Sequence, residues 1–399
     1  MNVILFDNEH RGDLLPLTFT RPQADIRVGI LTVREKWEKR LNCKTSSITQ
    51  AYLAQKFPLL AKKRNLLIAG SVCPNDDLAE AVRNLHIGQT LVKEDYTIAH
   101  CVEEISFSLE GYCGEKVEFE GDITSIDYSW DIFSKNEKEL YLDYELLTKG
   151  RKSQPLSNTN TVFAPENVFV EEGAVIECAI INAKNAKVYI GRDSEVMEGA
   201  IMRGSIAICE HSQVKMGAKI YGATTVGPYS KVGGELNNVV IFAYSNKAHD
   251  GFLGNSVIGE WCNLGADTNT SNLKNNYEIV RLWNYKSKSF IRTGLQFCGL
   301  IMGDHSKSGI DVMFNTGTVV GVSANVFGAG YQRNFFPSFH WGGGTTPIQD
   351  FKLDAAIDVA KRMYERRSLE FTDSDVQILF SIHNLTEEFR QIDYNLIDY

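Results

Sequence analysis

Residues 190–237 read IGRDSEVMEGAIMRGSIAICEHSQVKMGAKIYGATTVGPYSKVGGELN, and their periodicity decides the fold. Every sixth residue is aliphatic or methionine, and most residues four positions later are small. An amphipathic helix would repeat apolar residues at i, i+3, i+4 and i+7, and a two-faced strand would alternate every two. A period of six is typical of a hexapeptide solenoid, in which three hexads form one triangular coil and the aliphatic side chains point inward. The inward positions are Ile190, Val196, Met202, Ile208, Val214, Ile220, Val226 and Val232.

The same rhythm extends beyond this stretch but is interrupted twice. It begins at Val170 and Ile176, and several of the aliphatic residues are followed directly by glycine. Insertions in repeat proteins map to loops on one face, often the binding face, so both interruptions are candidates for function. After Val232 the pattern predicts inward residues at Phe252, Ile258 and Leu264, and then at Phe290, Gln296, Met302, Ser308, Phe314, Val320 and Val326.

Composition limits the class of protein. The chain has 399 residues, is 43% hydrophobic and 23% charged, and carries a net charge of −9, which suits two or three globular domains and excludes the basic footprint of a nucleic-acid binder. The eight cysteines form no C-x-x-C pair, so we expect free thiols in a reducing compartment. The N-terminus lacks a basic signal-peptide region, and no apolar run reaches about 18 residues, so we expect a cytoplasmic protein without a membrane span.

The first 150 residues have the pattern of an α/β domain. A short apolar run at residues 2–6 predicts a buried strand, residues 30–41 predict a helix, residues 66–69 a second strand and residues 76–85 a second helix. This alternation favours a parallel sheet, in which ligands bind at the carboxyl ends of the strands. Asp7, Asn8 and Arg11 follow the first strand and are therefore expected at such a site.

This opening resembles the sugar-1-phosphate nucleotidyltransferases, through Pro16-Leu17-Thr18 and Arg21-Pro22. The resemblance implies a shortened, Rossmann-type nucleotidyltransferase domain that would need Mg²⁺ if it is active. The sequence departs from the family in three places. The phosphate loop has one glycine, Gly12; the lysine after Arg-Pro is Gln23; and Gly70 is followed by serine instead of the metal-binding aspartate. The nucleotide-binding residues that the resemblance implies are Asp7, Asn8, Arg11, Arg21 and Arg27.

The first interruption carries a second resemblance. Lys247-Ala248-His249, Phe252-Leu253-Gly254, Asn263-Leu264-Gly265-Ala266 and Asn272 resemble the acetyltransferase half of the bifunctional N-acetylglucosamine-1-phosphate uridylyltransferase/glucosamine-1-phosphate acetyltransferase family. The spacing from His249 to Asn272 agrees without gaps, whereas Lys247 lies one residue closer to the histidine than in the family. Phe252 and Leu273 stand where the family has tyrosine.

The second resemblance implies a left-handed parallel β-helix, a homotrimer and acetyl-CoA as co-substrate. His249 would be the general base, since an imidazole with an ordinary pKa of about 6.5 suits proton transfer at neutral pH. The sugar-binding residues implied are Lys247, Phe252, Asn263 and Asn272. The alternative is that His249 is a solvated loop residue that pairs with Asp250.

Other features have more ordinary interpretations. The second interruption, residues 272–288, holds Lys274, Arg281, Lys286 and Lys288, which indicate either an exposed charged loop or a subunit-spanning loop that meets CoA phosphates. Gly342-Gly343-Gly344 predicts a tight turn that ends the solenoid. We expect no metal site, because His211, His249 and His305 do not have the spacing of a three-histidine zinc site.

The chain therefore divides into an α/β domain (1–150), a linker (151–162), a β-helix (163–335) and a C-terminal helical extension (336–399). Two amphipathic helices, residues 353–364 and 373–385, are expected to cap the solenoid. The preferred function is CoA-dependent acyl transfer to an amino sugar or sugar phosphate. The alternatives are nucleotidyl transfer by the first domain, alone or as a second activity, and a non-catalytic sensor or scaffold.

Overall fold

The N-terminal α/β domain has a mixed sheet. In the computed structural model, which describes residues 2–105 and 114–391, its strand order is β2-β1-β3-β6-β5-β7. The predicted parallel pairing is confirmed for β2, β1 and β3, but β6 is antiparallel to both β3 and β5. A two-residue connection joins β5 to β6, and such a hairpin can only join antiparallel strands. The elements are β1 Val3–Phe6, α1 Val33–Leu41, β2 Thr45–Ile48, β3 Asn65–Ala69, β4 Val72–Cys73, α2 Asp76–Arg83, β5 Gln89–Lys93, β6 Tyr96–Val102, β7 Glu115–Glu118, β8 Thr124–Ser125, α3 Asp131–Ser134 and α4 Asn136–Thr148.

The hexad repeat forms the predicted parallel β-helix. Its strands are β9 Thr161–Phe163, β10 Val168–Val170, β11 Val175–Ile176, β12 Ile180–Asn182, β13 Val188–Ile190, β14 Glu195–Val196, β15 Ile201–Arg203, β16 Ile206–Ile208, β17 Gln213–Val214, β18 Lys219–Tyr221, β19 Thr224–Val226, β20 Lys231–Val232, β21 Glu235–Ile241, β22 Asn246–Lys247, β23 Phe252–Ile258, β24 Asn269–Thr270, β25 Arg281–Asn284, β26 Ser289–Arg292, β27 Leu300–Met302, β28 Lys307–Ser308, β29 Met313–Phe314, β30 Thr318–Val320, β31 Asn325–Val326, β32 Phe335–Phe336, β33 His340–Gly343 and β34 Thr346–Asp350. The antiparallel turn between β33 and β34 contains the three glycines, as predicted.

The coils stack into three faces. Face A contains β10, β13, β16, β19, the second halves of β21 and β23, β27, β30 and β32. Face B contains β9, β12, β15, β18, the first halves of β21 and β23, and the β24–β29 pair. Face C contains β11, β14, β17, β20, β22, β28, β31 and β33. All eight inward positions of residues 190–237 are buried in the core of the coils.

The register is lost where the coils become shorter. Val214 pairs with Val232 after 18 residues, but Val232 pairs with Lys247 after only 15. Strands β21 and β23 run through seven residues, and this shift places Leu253 inward, so the prediction that Phe252 points inward is wrong. Phe290 and Gln296 were also predicted inward, but the insertion forms a separate β25–β26 hairpin outside the coil. The later inward positions, from Met302 onward, are confirmed.

The N-terminal domain covers face A. Val240, Val257, Ile301 and Val319 of this face belong to the same hydrophobic cluster as the core of the α/β sheet. Polar contacts add to this interface: the Thr225 hydroxyl donates to the Gly29 carbonyl at 2.8 Å. Burying apolar surface on both partners stabilises the contact by about 25 cal/mol per Å². The α/β domain and the β-helix are therefore packed through a shared core.

The C-terminal helices lie along the side of the coil. They are α5 Leu353–Glu365, α6 Asp373–Leu385 and α7 Glu387–Arg390, and Thr372 forms the predicted N-cap of α6. Tyr364 stacks on Trp261 at 4.2 Å, and Trp261 belongs to a ladder of rings at the corner between faces A and C, which comprises His211, Tyr229, Tyr244, Trp261 and His305. The helices were expected to cap the open end of the coil, but Tyr364 of α5 instead covers the corner between faces A and C.

The predictions about the cysteines and about membrane spans can be compared with the residues that the structure describes. Seven cysteines there are free thiols, five of them buried, and Cys113 lies outside the described residues. None of the helices in residues 2–105 and 114–391 is long and apolar enough to cross a membrane.

We predict that Gly227→Ala destabilises the β-helix. An added Cβ would stand 1.2 Å from the main-chain oxygen of Phe242 in the next coil, so the stacked backbones would have to separate. The expected loss is roughly 3 kcal/mol, measured as a lower midpoint of thermal and urea unfolding. Gly12→Ala is the matched control, because its Cβ would make ordinary contact with Lys286 at 3.4 Å. Equal midpoints for the two variants would contradict the prediction.

Candidate functional site

Lys247 lies inside the coil, next to the predicted catalytic histidine. Residues 248–251 connect β22 on face C to β23 on face B, and we call this segment the 248–251 corner. Lys247 is 2% exposed and occupies the inward position in register with Val232. Its Nζ donates to the carbonyl oxygens of Gly233 at 3.0 Å, of Asp250 at 3.0 Å and of His249. An ammonium has three N–H donors, and all three have main-chain acceptors here.

This placement does not fit the predicted contact between Lys247 and substrate. The side chain points away from the surface because the shortened coil moves it into the inward column. Burial, which is only partly opposed by Asp250 and Asp267, lowers the pKa of Lys247 to about 8. What the ammonium contacts is the main chain of the corner itself.

His249 stands on the outside of the 248–251 corner. The residue is exposed, and within residues 2–105 and 114–391 its side chain has no hydrogen-bond or ion-pair partner. The structure therefore does not show the alternative interpretation, in which His249 pairs with Asp250. An imidazole held by its main chain and free at both ring nitrogens can accept a proton from a bound molecule.

Phe252 and Asn272 meet on face B beside this corner. A Cβ on Gly254 would lie 2.6 Å from both the Phe252 ring and the Asn272 amide nitrogen, so the glycine leaves the space that these two side chains occupy. The Asn272 amide also donates to the Asn255 side chain at 2.8 Å. Face B is open here, since the N-terminal domain lies on face A.

Asn263 lies on the other flank of the corner. It is exposed on face C and forms bridges with Asn246 of one neighbouring coil and Lys307 of another. The structure thus places His249 on the corner, with Phe252 and Asn272 on one side of it and Asn263 on the other. These three side chains and His249 form what we call the corner site.

Sequence reasoning missed several supporting residues. Asn255 accepts from Asn272, and the Asn269 side chain accepts from the Phe252 main-chain nitrogen at 2.8 Å. Gly233 and Gly234 lie directly under the corner, where a Cβ would approach the Ala248 oxygen to 2.3 Å and the His249 oxygen to 2.8 Å. The doublet Gly233-Gly234 was the available signal, because two successive glycines after an inward valine indicate close backbone approach.

The predicted phosphate loop of the N-terminal domain is closed by its own side chains. Asp7 accepts from the Gln23 main-chain nitrogen at 2.7 Å and the Thr49 hydroxyl at 2.6 Å, and it pairs with Arg11 at 3.0 Å. Arg11 also donates to Tyr52 at 3.0 Å. Burial raises the pKa of Asp7 despite these partners. The Asp7–Arg11 pair therefore fastens the loop.

Asn8 also serves the domain's own structure. Its side chain donates to Ser71 at 2.9 Å and Tyr96 at 3.2 Å, and it caps the 3₁₀ turn Glu9–Leu14. The β25–β26 hairpin then covers this turn: Lys286 donates to Asp13 at 3.0 Å and to the Glu9 carbonyl at 3.0 Å.

Arg21 and Arg27 lie elsewhere, at the interface with the β-helix. Arg21 pairs with Asp304 and, at 2.9 Å, with Glu260, and these carboxylates raise its pKa against the effect of burial. Arg27 donates to the Ile30 carbonyl and lies 3.7 Å from Glu35. Both border a cavity of about 460 Å³ between the two domains and the C-terminal helices. The five predicted nucleotide-binding residues are thus split between two places, because the buried guanidinium groups require carboxylates.

The three lysines of the second interruption bind within the chain. Lys286 pairs with Asp13, Lys288 pairs with Glu388 at 2.6 Å, and Lys274 lies 3.8 Å from Glu278. The Lys286–Asp13 pair holds the insertion against the N-terminal domain, and the Lys288–Glu388 pair holds it against α7.

The Mg²⁺ implied by the first resemblance does not fit the residues present. Serine follows Gly70, and Asp7 already has a cation and two donors. In the described ranges no group of three or more His, Cys, Asp or Glu side chains is placed to hold a metal ion.

With this geometry in place, comparison with known proteins gives a consistent relationship. Residues 3–152 match the family model described as "Sugar nucleotidyl transferase". The chain is 28% identical over 213 residues to the "Bifunctional protein GlmU" of Methanococcus maripaludis strain C5, covering 53% of this chain and 45% of that protein. It is 25% identical over 265 residues to the "Bifunctional sugar-1-phosphate nucleotidylyltransferase/acetyltransferase" of Sulfurisphaera tokodaii, covering 66% and 58%.

The two resemblances found in the sequence are therefore confirmed. The chain spans about half the length of the curated relatives it matches. Among solved structures, an Arabidopsis UDP-N-acetylglucosamine acyltransferase aligns with a TM-score of 0.28 and 13% identity, over 61% of this chain and 85% of that one.

Proposed function

We propose that the protein is a CoA-dependent acyltransferase that acts on an amino sugar or sugar phosphate, with acetyl-CoA as donor. The observation that carries this proposal is the exposed His249, which is free of side-chain partners on a corner whose main chain is tightly held. The Sulfurisphaera tokodaii relative, named as a bifunctional sugar-1-phosphate nucleotidylyltransferase/acetyltransferase, supports the same reaction class.

In the proposed reaction His249 takes a proton from the acceptor amine as its nitrogen attacks the thioester carbonyl carbon. The C–N bond forms, the tetrahedral intermediate collapses, and the C–S bond breaks. The proton on His249 then passes to the departing thiolate, which leaves as free CoA thiol. Asn263, Asn272 and Phe252 would hold the sugar beside the imidazole, and positioning of this kind is a large part of catalysis.

The proposed assembly is a homotrimer in which face B of one copy contacts a neighbour. Face B carries two adjacent exposed apolar side chains, Ile180 at 41% and Ile201 at 43% exposure. The corner site borders this face, so a neighbouring copy would complete its wall. This arrangement gives a bound CoA a groove between two coils.

We predict that His249→Ala abolishes acyl transfer while leaving acetyl-CoA binding intact. Loss of a general base lowers kcat by about 10²–10⁴-fold. Release of CoA thiol from acetyl-CoA with glucosamine-1-phosphate would be followed colorimetrically, and binding of acetyl-CoA by calorimetry. His211→Ala is the matched control, because His211 is also an exposed histidine on a coil corner but stacks on Tyr229 at 4.6 Å. Unchanged turnover in His249→Ala would refute the assignment, and a wild type that neither binds acetyl-CoA nor releases thiol would favour the non-catalytic alternative.

We predict a particle of three times the 44.7 kDa chain mass, measured by light scattering. Ile201→Asp should reduce that mass, because a carboxylate buried in an apolar contact is strongly unfavourable. Leu60→Asp serves as the control, since Leu60 is an exposed apolar residue of the N-terminal domain with 60% exposure. A monomeric wild type, or equal masses for the two variants, would contradict the role of face B.

The second candidate function is nucleotidyl transfer, which the family match of residues 3–152 favours. We propose instead that this domain has a structural role, since Arg11, Arg21 and Arg27 are each bonded within the chain. We therefore expect no Mg²⁺-dependent release of pyrophosphate from UTP and N-acetylglucosamine-1-phosphate. Pyrophosphate release that Arg21→Met removes would establish the second activity and overturn this interpretation.

A further inference from the structure

Lys247 places a charge in an inward column whose four preceding members are aliphatic. Ile176, Val196, Val214 and Val232 precede it in register, and each lies in the core of the coils. Replacing an aliphatic group by an ammonium here requires compensation, because a buried charge without partners is strongly unfavourable. The compensation comes from three carbonyl oxygens, and two of them belong to His249 and Asp250.

The 248–251 corner is held from two further directions. Below it, Gly233 and Gly234 let the main chain of one coil touch the main chain of the corner. Above it, Gly251 lies against Thr268, where a Cβ would come 2.2 Å from the Thr268 oxygen. Lys247 supplies the contact from inside the coil, so the main chain that carries the His249 side chain is fixed on three sides.

We infer that Lys247 is a positioning residue, whose buried ammonium holds the main chain of the 248–251 corner and so sets where the His249 imidazole stands. This inference rests on the proposed function of His249. The surface of the imidazole stays free for substrate because the bonds that fix it are made to carbonyl oxygens.

The test is Lys247→Met, which keeps an unbranched apolar stem in the inward column and removes the three hydrogen bonds. We expect kcat for acetyl-CoA with glucosamine-1-phosphate to fall about 10- to 100-fold, as expected for a catalytic group displaced by about 1 Å, with little change in KM for acetyl-CoA. The melting temperature should stay close to the wild-type value, because Met suits this apolar column. Lys231→Met is the matched control, since Lys231 precedes Val232 one coil earlier and faces outward.

A second readout depends on the protonation of Lys247. Asp250 and Asp267 are the carboxylates that act on its ammonium, and the Lys215 side chain also lies against Gly233. The ammonium, with its pKa of about 8, is present below that pH and lost above it. Wild-type kcat should therefore fall as the pH rises through about 8, and Lys247→Met should lack this alkaline decline. A merely structural role would leave the pH profile unchanged.

A third measurement does not depend on turnover. Hydrogen exchange of the Asp267 and Glu235 amides, which donate to the Asp250 and Gly251 carbonyls of the corner, should become faster in Lys247→Met than in the wild type or Lys231→Met. Unchanged exchange at the corner, or full kcat in a folded Lys247→Met, would overturn the inference. If His249→Ala kept its activity the proposed function would fail, whereas loss in His249→Ala with none in Lys247→Met would refute only the role of Lys247.

Discussion

Backbone contact between successive coils is the constraint on which this structure depends. Parallel strands about 4.8 Å apart leave no volume between their main chains, and every corner must turn within that spacing. The glycines that follow inward aliphatics meet this requirement: a Cβ on Gly191, Gly227 or Gly321 would collide with the main chain of the next coil. The same constraint seats the 248–251 corner on Gly233-Gly234.

A shortened coil brings this constraint to the proposed corner site. Because Val232 and Lys247 are 15 residues apart, the chain reaches face C early and a polar residue enters the inward column. Its ammonium can be accommodated because three carbonyl oxygens accept its hydrogen bonds, one from Gly233 of the preceding coil and two from the 248–251 corner. The shortened coil therefore both breaks the regular repeat and sets where the exposed His249 lies. Local irregularity is common at functional sites, which agrees with the proposed role of this corner.

The sequence predicted the features that depend on short-range pattern. The period of six, the strands of the first domain, the N-cap at Thr372 and the turn at Gly342-Gly343-Gly344 are local properties, and each is found in the structure. Phe252, Phe290 and Lys247 were misplaced because their positions depend on the length of a coil and on where an insertion leaves it, which a fixed period cannot supply. The surroundings of the arginines could not be predicted for another reason: Arg21 meets Asp304, a residue 283 positions away, and only the packing of two domains brings them together.

The packing of the two domains also determines what the charged residues of the first domain contact. The domain has the parallel β2-β1-β3 core and the family match, yet its loop side chains are joined to one another, and Arg21 pairs with carboxylates of the β-helix. A guanidinium that neutralises the buried Asp304 and the partly exposed Glu260 cannot at the same time meet a triphosphate, because leaving the buried carboxylate unpaired would cost about 3–5 kcal/mol. Lys286 of the β25–β26 hairpin covers Gly12 from the opposite side, where it binds Asp13 and the Glu9 carbonyl. Its charge is therefore also engaged within the chain. The charges that the resemblance assigned to nucleotide binding are thus engaged in contacts within the chain, which is why the proposed acyl transfer is placed at the corner site instead.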